Sequence, residues 1–189
     1  MVDGVAYKQE ERLQQQNKLA SFETAVLPHL DAAYNLARWL TRNDADAQDV
    51  VQEAYLRAFR FFGGFRGEDG RAWLLGIVRN TTHTWMQHNR SPQLNMQLDD
   101  ELHEVKSDDL NPEALLLQKA DARMLRQAVE ELPIEFREVL VLRELDEMSY
   151  KQIAAVADLP LGTVMSRLAR ARKRLQQILA SPTQTEVLS

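Results

Sequence analysis

Cysteine is absent from this 189-residue chain. A disulfide scaffold, a thiol nucleophile and a cysteine-ligated zinc are therefore excluded. Glycine and proline are sparse, seven and six residues respectively, and no window alternates apolar and polar residues with period two, so strands are not expected. No apolar run approaches the ~20 residues of a membrane-spanning helix. The N-terminal stretch from Tyr7 to Asn17 is too polar for a secretory signal, which predicts a cytoplasmic protein without membrane insertion. Phosphate-binding glycine loops are missing as well. The four histidines, His29, His83, His88 and His103, are scattered, and the five-residue spacing of His83 and His88 does not put paired metal ligands on one helix face. The expectation is no enzyme, no metal and no cofactor.

What remains is an ordinary globular balance, 44% apolar and 27% charged, which excludes a disordered chain. Apolar residues recur at helical spacing in two blocks, predicting an all-α fold of two small helical domains. The first spans 21–91. Its stripe of Phe22, Val26, Leu30, Ala33, Ala37 and Leu40 makes a core face, with Pro28 marking a start or a kink. Asp44 or Asp46 is expected to cap the next helix, which runs to about Phe62 and turns Ala54, Ala58 and Phe61 to the core. A glycine-rich loop follows, then one short helix from Arg71 to about Asn80 and another from about Thr82 to Asn89. Residues 92–111 read as a flexible acidic linker. The second domain, 112–180, opens at Asn111-Pro112-Glu113, a cap, a proline at the first helical position and an early acid. That helix is expected to reach Leu132, with the next opening at Pro133. The last residues, from Ser181, read as a frayed tail.

Net charge is −5, unpromising for a nucleic-acid binder until its distribution is considered. Five cations and no acid lie between Leu159 and Ala180, and Arg71, Arg79 and Arg90 occupy an acid-free stretch from Gly70 to Leu98. Just before the first of these runs, Ser149 and Gln152 have capping-box spacing for a short helix burying Ile153, Ala154 and Ala157. Asp158-Leu159-Pro160 ends it, and a second helix follows, the pattern of a helix-turn-helix. On a wheel of about 100° per residue, Val164, Leu168, Ala171 and Leu175 form its packing stripe. Gly162, Ser166, Ala169, Arg170 and Lys173 lie opposite, and Arg167, Arg172 and Arg174 on the shoulders. A helix in the major groove points its far face at base edges and its shoulders at phosphates. Ser166 and Arg170 are thus candidate base readers; Arg167, Arg172, Lys173 and Arg174 are candidate phosphate contacts.

These features, in order, resemble the extracytoplasmic-function class of bacterial RNA polymerase sigma factors. The resemblance rests on Asp46 to Phe59, Phe65-Arg66-Gly67 with Ala72-Trp73-Leu74 and Arg79-Asn80-Thr81, Arg137 to Leu145, and Gly162 to Arg167, and covers almost everything from Phe22 to Leu179. It implies a first domain, sigma region two, that docks on core polymerase and melts the minus-ten element. It implies a second, sigma region four, that reads the minus-thirty-five element. The helix from Asp46 places Asp49, Gln52, Glu53, Leu56 and Arg60 on one face, the candidate polymerase-docking face. Strand opening calls for cations, amides and aromatics, which points to Arg66, Arg79, Asn80, Thr81, Thr84 and Gln87, with Phe65 beside them. The family places its base pocket around Arg79-Asn80-Thr81, so Asn80 leads. Trp85 is open between pocket and core. Met165 stands where relatives often carry a cation. The implied partners are core RNA polymerase, promoter DNA and an anti-sigma factor, with a monomer when free. The acidic linker either enters a basic channel of the polymerase or is a plain tether. Two rivals share parts of this pattern: a helix-turn-helix regulator acting without polymerase, and a scaffold of two helical domains.

Overall fold

The computed structural model describes residues 3–67, 69–89 and 112–180. Among them the chain forms eight α-helices and no strand, as the all-α expectation required. The expected linker 92–111, the Asn111 cap and the tail from Ser181 lie outside the described residues.

Helices α1 (Asp3–Val26), α2 (Leu30–Thr41), α3 (Asp44–Phe61) and α4 (Gly70–His88) make the first bundle. Phe22, Val26, Leu36, Leu40, Val50, Leu74, Leu75 and Val78 fill its core. Buried alanines at 33, 37, 47, 54 and 58 let the backbones approach closely. The closest approach is at Gly70, where a Cβ would sit 2.2 Å from the Ala25 carbonyl oxygen, so nothing larger than glycine fits between α1 and α4.

The first helix extends back to Asp3, ahead of the stripe that starts at Phe22. Four expectations need correction here. A 3-10 turn at Leu27–His29, holding Pro28, rotates the chain between α1 and α2; Leu30 is turned out of the predicted stripe and stands 42% exposed. Asn43, not Asp44 or Asp46, caps α3, its side chain accepting from the Asp46 N–H at 3.0 Å. Phe61, at the last turn of α3, is 62% exposed rather than in the core. In addition, α4 is one helix where two were expected. The Asn80-Thr81-Thr82 run looks like a breaker, but Thr82 and Thr84 bond back to the Val78 and Asn80 carbonyls at 2.8 and 2.9 Å, satisfying their hydroxyls inside the helix.

The second bundle holds α5 (Pro112–Glu130), α6 (Ile134–Glu144), α7 (Tyr150–Ala157) and α8 (Leu161–Ala180). Helix α5 stops at Glu130, two residues before the expected Leu132. The capping box is formed: Ser149 Oγ accepts from the Gln152 N–H at 3.3 Å, and Gln152 Oε1 accepts from the Ser149 N–H at 2.9 Å. Asp158, in the left-handed region at φ 51°, ends α7 by sending its N–H to the Ala154 carbonyl. Ile153 and Ala157 are buried as expected, but Ala154 is only half-buried and Val156 takes the buried place. The reason lies outside the second domain. Helix α7 packs on α4, and α6 on α2. Gly76 of α4 faces the Val156 backbone, which a Cβ there would meet at 3.7 Å.

Candidate nucleic-acid interface

Helix α8 buries Val164, Leu168 and Ala171 on the bundle. Its other side leaves Gly162, Ser166, Ala169, Arg170, Lys173 and Arg174 exposed and Arg167 half-exposed. Ser166 Oγ donates to the Thr163 carbonyl at 3.0 Å within the first turn of α8. Arg172 differs from the other shoulder cations. It forks onto Glu144 of α6, Nη2 at 2.7 Å and Nε at 3.1 Å from one carboxylate oxygen, and that bond raises its pKa further. A phosphate at this shoulder would have to compete with a carboxylate. Arg167, Arg170, Lys173 and Arg174 form no ion pair among the described residues, leaving four cations with only water to displace.

On α3, Asp49, Gln52, Glu53, Leu56 and Arg60 are all exposed and share a face, with Leu56 64% exposed among the polar groups. Glu53 is bridged to Arg57 at 2.7 Å, an exposed i,i+4 pair of small energetic weight. Beside this face Lys18 of α1 lies 5.0 Å over the half-exposed Phe59 ring. Phe59 adds apolar surface there that periodicity alone did not assign.

The third cluster lies where α4 meets the preceding loop. An open cleft of about 750 Å³ is lined by Phe65, Arg66, Gly67, Trp73, Ile77 and Asn80. Phe65 stacks on Phe62 at 5.7 Å and tilts against Trp73 at 4.9 Å, so an aromatic wall stands beside the amide. Asn80 and Gln87 are exposed, Thr84 is half-buried, and Trp85 packs partly against the core. Thr81, grouped with these residues by sequence, is turned inward instead, 3% exposed. The structure thus gathers Phe65, Arg66 and Asn80 around one cleft; Gln87 lies two turns further along α4 and Thr81 faces away.

Residues 25–91 match the Sigma-70 region 2 family, and residues 122–175 match Sigma-70 region 4. The RNA polymerase sigma-H factor of Pseudomonas aeruginosa is 34% identical over 176 residues, covering 89% of this chain and 91% of that protein. The ECF RNA polymerase sigma-E factor of Escherichia coli is 37% identical over 141 residues, 69% of this chain and 72% of that one. This chain belongs to the extracytoplasmic-function sigma factors. Among solved structures, the Bartonella quintana sigma factor RpoE, determined with the anti-sigma factor NepR, superposes with a TM-score of 0.68 at 25% identity, over 86% of this chain and 99% of that one. CnrH, determined with the cytosolic domain of CnrY, gives 0.61 at 26%, over 87% and 91%. The sigma factor is thus an RNA polymerase specificity subunit, and the polymerase-independent regulator is not favoured.

In this sigma factor the two regions touch through charge. Arg79 Nε donates to Glu138 Oε1 and His83 Nε2 lies against Oε2, each at 2.9 Å, while the Glu138 side chain is only 1% exposed. Arg71 reaches Asp146 at 2.7 Å; burial raises the Asp146 pKa although Arg71 opposes it. Gln152 of α7 donates to Asp69 at 2.8 Å, and the Asp69 pKa is lowered by the Ala72 N–H and then by this bond. Arg137 is buried, its pKa pulled down to about 10 mainly by desolvation. It caps α2 from the other domain, donating to the Trp39 and Leu40 carbonyls at 2.9 and 3.4 Å. Arg42 returns the favour at the end of α5, donating to the Glu130 carbonyl at 3.1 Å. None of Asp69, Arg137, Glu138 and Asp146 was singled out for this from sequence, since a charged residue reads as solvated surface until its partner in another domain is known.

Proposed function

We propose that the three clusters divide promoter opening among them. The α3 face of Asp49, Gln52, Glu53, Leu56 and Arg60 docks on core RNA polymerase. Phe65, Arg66, Arg79, Asn80, Thr84 and Gln87 handle the melted minus-ten strand, with Asn80 in the base pocket and Arg66 and Arg79 on its phosphates. Thr81 acts through the fold of α4 rather than by touching DNA. On α8, Ser166 and Arg170 read base edges of the minus-thirty-five element while Arg167, Lys173, Arg174 and, once freed of Glu144, Arg172 hold the backbone. The protein changes no covalent bond itself. It works in the cytoplasm as a monomer until it joins the polymerase, and an anti-sigma factor, like those bound to its structural relatives, restrains it.

The observation that carries this reading is the placement of an acidic, leucine-bearing face on one domain and an unpaired cationic face on the other, both open to solvent. The test is reconstitution: core polymerase with and without the protein, on a promoter library. Promoter-dependent initiation only with the protein is the expected result. Tight operator binding without core enzyme, and no initiation with it, would overturn the proposal.

A further inference from the structure

The open side of α8 has two unlike edges. Arg167, Arg170, Lys173 and Arg174 make one of them, with no ion pair among the described residues. The other holds Leu161, Met165 and Ala169, spaced by four and therefore in line along the helix. Leu161 is 43% and Met165 52% exposed, and Ala169 is exposed as well. Beside this row, a Cβ on Gly162 would meet nothing within 4 Å. Arg172 follows on the same edge, but its Nε and Nη2 both lie on Glu144. Ser166 Oγ, next to Met165, spends its proton on the Thr163 carbonyl. Over its first turns this edge thus presents apolar carbon and no free side-chain donor.

A single exposed apolar side chain needs no explanation. Three in line, bordered by unpaired cations, lie against whatever polyanion those cations attract, which favours DNA over a protein for this row. The apolar feature that a base pair shows in the major groove is the thymine C5-methyl group. Guanine shows two acceptors there, N7 and O6, and both would be buried unpaired against carbon. The residues of a recognition helix that reach base edges lie in its N-terminal turns, and Met165 is the fifth residue of α8. Its unbranched thioether can follow an irregular surface such as a row of base edges. We infer that Met165 is a specificity-determining residue: with Ala169 it covers a thymine methyl and so selects thymine over guanine at one edge of the minus-thirty-five element. Arg170 reads the bases beside it. The inference rests on the proposed seat of α8 in that groove.

The test uses the full chain with core RNA polymerase. A promoter library randomised over the minus-thirty-five element is selected with the parent and with Met165→Ala, a change at an exposed position to a better helix former that leaves the fold intact. The parent should enrich thymine at one position or at two adjacent ones. Met165→Ala should lose that enrichment and keep the remaining base preferences, and Met165→Arg should exchange it for guanine. In the selected promoter, deoxyuridine in place of that thymine removes the methyl group and keeps the pairing. It should weaken binding by the parent about fourfold, the worth of burying one such group, and leave binding by Met165→Ala unchanged. An unaltered base profile in Met165→Ala, or equal binding of both promoters by the parent, would overturn the inference. Weakened core binding in Met165→Ala with the base profile intact would overturn it too, placing the row against the polymerase. Promoter-dependent initiation by the parent on the same library separates the failures. If it is present, only the role of Met165 falls; if it is absent, the assigned function falls first.

Discussion

Arg170 and Arg172 lie two residues apart on α8, yet the structure gives them different work. Arg170 is exposed and unpaired, while Arg172 is shared with Glu144. A guanidinium reading a guanine is worth about 1–3 kcal/mol of discrimination. Arg170→Ala should therefore lower promoter-specific initiation roughly tenfold or more and leave core binding unchanged, as judged by abortive initiation beside a core-binding titration. Lost core binding would show that α8 has been misassigned. Asp146 supports a prediction of another kind. Its folded pKa lies above the ordinary aspartate value because it is buried. Over the range between the unfolded and folded values the native state holds the extra proton, so stability falls as pH rises through that range and is level above it. Asp69 has the opposite shift and stabilises above its unfolded pKa, losing that contribution as pH falls. Asp146→Asn should remove the first trend and keep the second, visible as a changed slope of urea midpoint against pH in the acid range. An identical slope in both proteins would contradict the assignment.

Among the elements, α7 was the most legible and α4 the least. Ser149, Gln152 and Pro160 state the limits of α7 within the chain itself, since caps and proline act through neighbouring backbone atoms. Ser149→Ala should cost about 1 kcal/mol of stability by removing the cap, measured as a lowered thermal midpoint. The α8 stripe was equally readable, because Val164, Leu168 and Ala171 repeat with the helix period. Helix α4 was misread as two because Asn80, Thr81 and Thr82 have weak helix propensity, and tertiary packing of Leu74, Leu75 and Val78 overrides propensity. Phe61 and Leu30 show the converse: both are apolar, but they sit at helix ends where a turn changes the facing direction. Gly70 carries no sign in the sequence of its real constraint, the Ala25 carbonyl of another helix. Gly70→Ala should destabilise by about 1–3 kcal/mol through overpacking at the α1–α4 contact, although alanine is otherwise the better helix former. A rise in thermal midpoint would contradict the close approach.

For the whole molecule, the candidate surfaces were legible and their mutual relation was not. Exposed faces follow from periodicity, which one helix carries alone; the pairing of Arg79 with Glu138 spans 59 positions and requires two domains to meet. The net charge of −5 acquires meaning at this scale. Electrostatic attraction supplies much of the affinity for DNA, and an acidic chain with one cationic face gains little of it alone. The proposed docking through α3 would supply the local concentration that α8 lacks. Because the two faces lie on different domains and share no partner, their perturbations should combine independently. Glu53→Lys places a cation on the docking face and breaks the Arg57 pair, which is exposed and contributes little to stability. It should weaken core binding while leaving the binding of α8 to duplex DNA unchanged. Combined with Arg170→Ala, the loss in initiation at subsaturating core should equal the product of the two single losses. A double variant no worse than Arg170→Ala would mean that α3 makes no productive contact with the polymerase, and unchanged core affinity in Glu53→Lys alone would place docking on another face.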